Sequence, residues 1–168
     1  MLIRNETGSD IEAISEVTKA AFENHPHSKQ TEQFIVTALR AANALTISLV
    51  AEVAGKVVGH IAFSPVTISD GSQDWYGLGP VSVLPEWQRQ GIGKALMHEG
   101  LSLLKSSGAK GCVLVGEPEF YGRFGFRNIP DLVLEGIPKE YFLGLKFEES
   151  KIQGTVRFTR LFPQPGKK

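Results

Sequence analysis

The chain has 168 residues, 42% hydrophobic and 21% charged, and its 18 basic and 18 acidic residues cancel to a net charge of zero. That length fits one domain over 1–168 with a substantial core. The even balance argues against a general nucleic-acid or membrane-surface binder, which needs a basic excess.

Met1-Leu2-Ile3-Arg4 reads directly as a strand, with no charged segment leading into an apolar one, so no secretory signal is recognised. No apolar run is long enough to span a bilayer, and the expected location is cytoplasmic. Asn5-Glu6-Thr7 matches the glycosylation sequon, but without a secretion route it counts as chance. Ser9-Asp10-Ile11-Glu12 has capping-box spacing with Ser9 as the cap, and Ile11, Ile14, Val17, Ala21 and Phe22 recur at helical spacing. Pro26 breaks this helix in His25-Pro26-His27-Ser28, and a second helix is expected over about 29–42 with Phe34, Ile35, Ala38 and Leu39 inward.

A meander follows: a strand over 46–53, a hairpin turn at Ala54-Gly55, a strand over 56–69 with Pro65 at an edge or bulge, and a strand over 75–84. Gly77, Gly79 and Pro80 interrupt the last of these, which points to a bulge or the close approach of another group. A long helix over about 91–107 has Ile92, Ala95, Leu96, Leu103 and Leu104 inward and ends at Gly108. Gly111–Val115 is a continuous apolar run, the mark of a strand buried on both faces, so the two strands and the helix form a parallel βαβ unit. Its Cys112, the lone cysteine, is expected to be a buried, inert thiol. A short helix over 118–123 and strands over 132–135, 142–148 and 154–162 complete the chain, with 163–168 a frayed tail.

The chemistry concentrates at Gln88-Arg89-Gln90-Gly91-Ile92-Gly93-Lys94-Ala95. A strand feeding a glycine-rich helix start presents unpaired N–H groups and a positive dipole end, a place to hold a phosphate. Arg89 and Lys94 sit where cations disfavour a helix by about 0.3–1 kcal/mol, a sign that a bound polyanion reverses; a plain surface turn is the competing reading. A dinucleotide fingerprint fails because Leu96 stands where its last glycine should be. A Walker A loop fails at Gln88, which should be glycine, and at Ala95, which should be Ser or Thr.

What the stretch does match is Gln/Arg-x-x-Gly-x-Gly/Ala, met by Gln88, Gly91 and Gly93 and preceded by Leu78-Gly79-Pro80-Val81-Ser82-Val83-Leu84-Pro85. Here the chain resembles the GCN5-related N-acetyltransferase (GNAT) family. Gly59-His60-Ile61-Ala62-Phe63-Ser64-Pro65 and Gly116–Phe126 are similar to the bacterial YhbS-like subgroup. The resemblance implies an α/β fold with a GNAT-like mixed sheet of about six or seven strands flanked by about four helices. It implies acetyl-CoA as cosubstrate, no metal, and transfer to an amine of a small molecule or peptide by direct attack. It also implies that backbone groups of Val81 and Val83 bind the acetyl and pantetheine arm. The N–H groups of Gly91, Ile92, Gly93 and Lys94 would hold the pyrophosphate, with Gln88 and Arg89 in the same loop.

Tyr121 matches the family's tyrosine on the short helix after the buried strand and is the candidate general acid; a packed aromatic among Phe120, Phe124 and Phe126 is the bland alternative. The base is open. The strand over 76–84 has no carboxylate, which leaves solvent, Glu32, Glu52 or His60, the last of these also reading as a core histidine. His25, His27, Tyr141 and Phe142 are candidates to shape an acceptor pocket, and Trp75 and Trp87 are expected to pack. A non-catalytic acetyl-CoA sensor, or an acyltransferase with another acyl-CoA or acceptor, is the alternative function. Dimers are common in the family, and a homodimer is left open.

Overall fold

The structure, a computed structural model, describes residues 1–24 and 31–159. Strand β1 (Leu2–Asn5) runs antiparallel to β2 (Ile47–Val53). Arg4 on β1 ties three segments together. Its guanidinium donates to both Asp10 carboxylate oxygens, at 2.7 and 3.0 Å, and to Glu52 Oε1 at 2.9 Å. Asp10 also accepts from the Thr7 N–H at 2.7 Å, so the helix entry is capped by Thr7 with Asp10 three residues on. The spacing that favoured Ser9 is met one turn-fragment earlier, through a 3-10 turn at Gly8–Asp10.

Helix α1 (Ile11–Phe22) buries Ile14, Val17 and Thr18. Helix α2 (Glu32–Ala41) buries Val36 and Leu39. Phe34, expected inward, is 56% exposed. Three consecutive apolar residues, Phe34, Ile35 and Val36, leave the stripe's centre ambiguous, and the helix settles about 100° round from the expected face.

Strand β3 (Lys56–Ile68) is the spine of the sheet. Its first half pairs with β2, through Ile47 opposite Phe63, and its end pairs with β8 (Gly154–Phe158), from Val66 opposite Phe158 onward. Pro65 falls between those two partners. Along the other edge lies β4 (Trp75–Val83). Ile61 faces Val81 while Phe63 faces Leu78, so a two-residue step on β3 spans three on β4. That is a bulge, centred on Gly79-Pro80, where the peptide is cis.

Helix α3 (Ile92–Ser106) returns the chain to β5 (Gly111–Val115), which is parallel to β4 as the βαβ pattern requires. Its buried residues are Ile92, Leu96, Met97, Gly100 and Leu104, whereas Leu103 is largely exposed. Gly100 belongs to the inner face because a Cβ there would meet the Phe63 ring at 2.6 Å. Gly108, at φ +95°, follows the helix in the left-handed region. After the short α4 (Pro118–Tyr121), β6 (Leu132–Val133) pairs with β8, and β7 (Phe142–Lys146) pairs antiparallel with β5. The described residues thus hold eight strands, in the order β1-β2-β3-β4-β5-β7 with β8 and β6 attached at the end of β3, and four α-helices.

The sheet has two buried faces. Leu49, Ile61, Phe63 and Leu78 point toward α3, while Val50 points the other way, to Ile14 of α1 and Val36 of α2. Cys112 is fully buried on the α3 face, and burial pushes its thiol well above the ordinary range, as an inert thiol requires.

Candidate active site

Strands β4 and β5 are paired only from Trp75 opposite Gly111 to Gly77 opposite Val113. Beyond that point β5 stays with β7 through Val115, β4 stays with β3 through Val83, and the two parallel strands part. The gap leaves one edge of β4 open. The Leu84 N–H donates to the Val58 carbonyl on the β3 side at 2.9 Å. Alternation therefore turns the backbone of Ser82 toward β3 and the N–H and C=O groups of Val81 and Val83 toward the open edge. The Val81 and Val83 side chains pack with the α3 cluster, so the Ser82 side chain points to the α1 face.

A 3-10 turn at Pro85–Trp87 leads from this strand to the glycine loop, and the Gln88 side-chain amide reaches back to donate to the Val83 carbonyl at 3.0 Å. Arg89 at φ +64° and Gly91 at φ +85° alternate the handedness of the loop, which turns successive N–H groups to one side. The first helical bond of α3 runs from the Ala95 N–H to the Gly91 carbonyl at 3.0 Å. The N–H groups of Ile92, Gly93 and Lys94 therefore have no acceptor within the helix. Gly93 has only the Val83 Cγ2 near its Cβ position, at 3.9 Å, and the Arg89 and Lys94 side chains are exposed beside this helix end. The loop thus brings together Val83, Gln88, Arg89, Gly91, Ile92, Gly93 and Lys94.

Tyr121 ends α4 on the same face as α3. Its ring stands edge-on to Phe120, with centroids 4.9 Å apart, and to Phe126 at 6.3 Å. It also covers Gly116, where a Cβ would collide with its Cε2, so the glycine at the exit of β5 makes room for the ring. Burial pushes the Tyr121 phenol up to about 12.

The remaining sequence candidates separate. Glu52 is engaged by Arg4 at the outer part of the sheet. Glu32 lies in the first turn of α2. Phe142 is buried among Val113, Trp75 and Val156 and fills core. Tyr141 is 38% exposed, and its carbonyl accepts from the Gly116 N–H at 2.9 Å. Trp75 is buried and Trp87 is half-buried against the α3 cluster, as packing residues. His25 and His27 lie outside the described residues. Among the described residues no cluster of three His, Cys, Asp or Glu side chains is placed to hold a metal, and no helix is long and apolar enough to cross a membrane.

His60 is fully buried on β3 and faces the α1 side. Its Nε2 lies 2.7 Å from Ser48 Oγ, and the Ser48 hydroxyl makes a very short hydrogen bond to Glu6 Oε1. Glu6 is gripped by Arg40 of α2, with bonds of 2.8 and 2.9 Å. Burial acts to raise the Glu6 carboxyl, but the Arg40 and Ser48 hydrogen bonds outweigh it and hold the group below its ordinary value. Burial pushes the His60 imidazole down to about 4. Sequence reading gave no role to Ser48 or Ser82. Their signal is a serine alternating with apolar residues in a strand, at Ile47-Ser48-Leu49 and Val81-Ser82-Val83.

The acetyltransferase (GNAT) domain family matches residues 45–128, from the end of α2 to just past α4. The chain is 36% identical to the uncharacterized N-acetyltransferase YhbS of Escherichia coli K12 over 127 residues, 75% of this chain and 73% of that protein. It is 33% identical to the uncharacterized N-acetyltransferase YjhQ of the same organism over 137 residues, 79% and 72% of the two chains. A GNAT acetyltransferase of Brucella melitensis, solved with acetyl-CoA, superposes with a TM-score of 0.86 at 49% identity over 96% of this chain and 97% of that one. Escherichia coli YhbS, solved with CoA, superposes with a TM-score of 0.84 at 30% identity over 99% and 93%. With this agreement over most of its length, the chain belongs to the GNAT acetyltransferase family.

Proposed function

We propose that the protein moves the acetyl group of acetyl-CoA to an amine of a small molecule or peptide, by direct attack within a ternary complex. The observation that carries this is the open edge of β4, joined by one 3-10 turn to the loop at Arg89–Lys94. An extended pantetheine arm pairs with the N–H and C=O of Val81 and the N–H of Val83, and the diphosphate then falls on the N–H groups of Gly91, Ile92, Gly93 and Lys94. Gln88 holds the loop by bonding the Val83 carbonyl, and Arg89 adds charge. The solved relatives with bound acetyl-CoA and CoA support this assignment.

Tyr121 sits beyond the end of β5, next to the gap where the thioester sulfur would lie. Its raised pKa keeps it a hydrogen-bond donor at every physiological pH. The burial that raises the phenol also works against full proton transfer to a thiolate. Its role is therefore to donate a hydrogen bond to the departing sulfur, which completes its protonation from solvent.

Incubation with labelled acetyl-CoA and a mixture of metabolites and peptides should add one acetyl mass to a particular amine. Tight acetyl-CoA binding with no labelled product would overturn the reading in favour of a sensor. Tyr121→Phe should lower kcat by about 100-fold and leave acetyl-CoA affinity within a few-fold. A full rate from that variant over a wide pH range would remove Tyr121 from the mechanism.

A further inference from the structure

The sheet face opposite α3 is covered by two separate apolar clusters. Helices α1 and α2 close one part of it, with Ile14 and Val36 against Val50, and α1 lies across β3 and β4. Strands β6 and β8 close another part, with Leu132 and Val156 in one cluster with Val66, Trp75 and Val113. Phe158 is half-buried at the margin of this second cluster. It is paired directly with Val66 of β3, and just beyond it Thr159 Oγ1 donates to the Pro65 carbonyl at 2.7 Å.

The Phe158 ring lies on Gly77. A Cβ there would overlap the ring at Cδ2, 2.6 Å away, and would crowd Val66 Cγ1 at 3.1 Å. Gly77 is also the last residue of β4 that is paired with β5, opposite Val113. Phe158 therefore covers the apex of the gap, on the face away from α3. Val115 follows Val113 by two residues, beyond the end of that pairing, so its side chain points to the same face. It is 47% exposed, and Tyr141, tied through its carbonyl to the Gly116 N–H, is 38% exposed at the same strand end.

On the transferase reading, on which this inference rests, the pantetheine arm fills the gap from the loop end and carries the acetyl group toward the apex. Tyr121 stands over Gly116 on the α3 face, so the amine attacks from the opposite face, beside Phe158 and Val115. The residues that β4, β5 and β8 present there, Gly77, Val113, Val115 and Phe158, have no charged or hydrogen-bonding side chain. A charged group against them would lose water without gaining a partner, whereas an alkyl or aryl group is stabilised by leaving water. We propose that Phe158 and Val115 are specificity-determining residues that seat the acceptor, a primary amine carried on an apolar group. The amine reacts as the free base. Its N–C bond forms as the thioester C–S bond breaks, the surplus proton on nitrogen goes to water, and the thiolate takes up a proton in turn.

The test uses the full chain with acetyl-CoA and four probe amines: n-butylamine, phenethylamine, spermidine and free lysine. The wild-type protein should turn over the first two with kcat/KM about 10-fold or more above the other two. Phe158→Ala should lower kcat/KM for phenethylamine by about 10-fold, mainly through the amine KM, with the acetyl-CoA KM within two-fold. Val115→Glu alters an exposed strand end and so spares the fold. It should lower kcat/KM for both apolar amines and raise it for spermidine, a reversal that a merely structural role would not produce. A wild-type preference for spermidine or lysine overturns the apolar class and leaves the transferase reading standing. Acceptor preference that either variant leaves unchanged overturns the placing of the seat. Where the wild-type protein turns over none of the four, saturation-transfer NMR on the CoA-loaded protein separates the two readings. Phenethylamine contact that Val115→Glu abolishes keeps the seat and overturns the transferase reading for these amines, and no contact overturns both.

Discussion

On the α3 side of the sheet, Leu49, Ile61, Phe63, Leu96, Met97 and Leu104 meet with no polar side chain between them. On the α1 side, across the same sheet, Ser48, His60 and Ser82 are buried beside Val50, Ile14 and Val36. Both faces exclude water, but by different chemistry. The apolar face depends on volume and is indifferent to pH. The polar face depends on direction, because each atom must find a partner of the right kind, and its stability changes with protonation. The buried hydrogen-bonded histidine is on the second.

Removing volume from the first face should have the largest effect. Leu96 is fully buried in the middle of α3, and Leu96→Ala should cost about 2–5 kcal/mol, with a fall in melting temperature of some 2–4 °C for each kcal/mol. Thermal unfolding at pH 7 and at pH 5 should show the same loss at both. A loss that grew markedly toward acid would mean that the two faces are coupled.

The second face should show the opposite behaviour. The folded His60 pKa of about 4 lies below the ordinary 6.5, so folding disfavours its protonation. The stability this preserves is complete above pH 6.5 and is lost as pH falls toward 4; 2.5 units correspond to about 3 kcal/mol. Glu6 and Asp10 are held low in the folded state as well, and their losses begin only below their unfolded values near pH 4. Urea unfolding between pH 6.5 and 4.5 therefore isolates the histidine. His60→Gln should flatten the curve in that window, and a slope that survives the substitution would assign it elsewhere.

The same contrast explains what was legible in the sequence. The cofactor loop is a local object: a strand, two glycines and a helix start lie within twenty residues, and the parallel pairing of β4 and β5 follows from the length of the crossover. The bulge at Gly79-Pro80 was written in residue types that dislike a regular ladder. The polar network is not local. Glu6, Arg40, Ser48 and His60 come from four separate segments, and only the register of β2 against β3 and the docking of α2 bring them together. Helix faces were misjudged where apolar residues run consecutively, as at Phe34–Val36, or where the inner face holds a glycine, as at Gly100, which scores as nothing but receives the Phe63 ring. The C-terminal strands were anticipated, but the attachment of β8 to the far end of β3 depends on the length of β3 beyond β2.

A smaller effect belongs to the loop itself. Nothing lies within 4 Å of a Cβ at Gly91, so Gly91→Ala meets no steric obstacle, but at φ +85° it should cost about 1–2 kcal/mol of loop geometry. At Gly93, where φ is not in the left-handed region and the nearest atom is 3.9 Å away, alanine should be neutral or better for the helix. Calorimetric titration with acetyl-CoA should therefore find affinity reduced for Gly91→Ala and kept for Gly93→Ala. Equal affinities would mean that the loop's left-handed turn does not shape the diphosphate site.

The smallest effect is that of Phe34→Ser, which, set against Leu39→Ala, tests the face of α2. Leu39 is buried and Phe34 is 56% exposed on the same helix, five residues and well over a quarter-turn apart. Leu39→Ala should cost about 2–5 kcal/mol, because its methyl groups leave a cavity over the α1 face. Phe34→Ser should change stability by no more than about 0.5 kcal/mol, since the ring gives up water-exposed surface and little packing. Arg40 follows Leu39 directly and holds Glu6, so loosening the helix at Leu39 should also loosen the Glu6–Ser48–His60 hydrogen bonds, whereas Phe34→Ser should leave them intact. The His60 nitrogen-15 signals read this directly: a mixed tautomer in Leu39→Ala and the wild-type tautomer in Phe34→Ser would tie the docking of α2 to the direction of the His60–Ser48–Glu6 hydrogen bonds, and identical spectra in all three proteins would detach them.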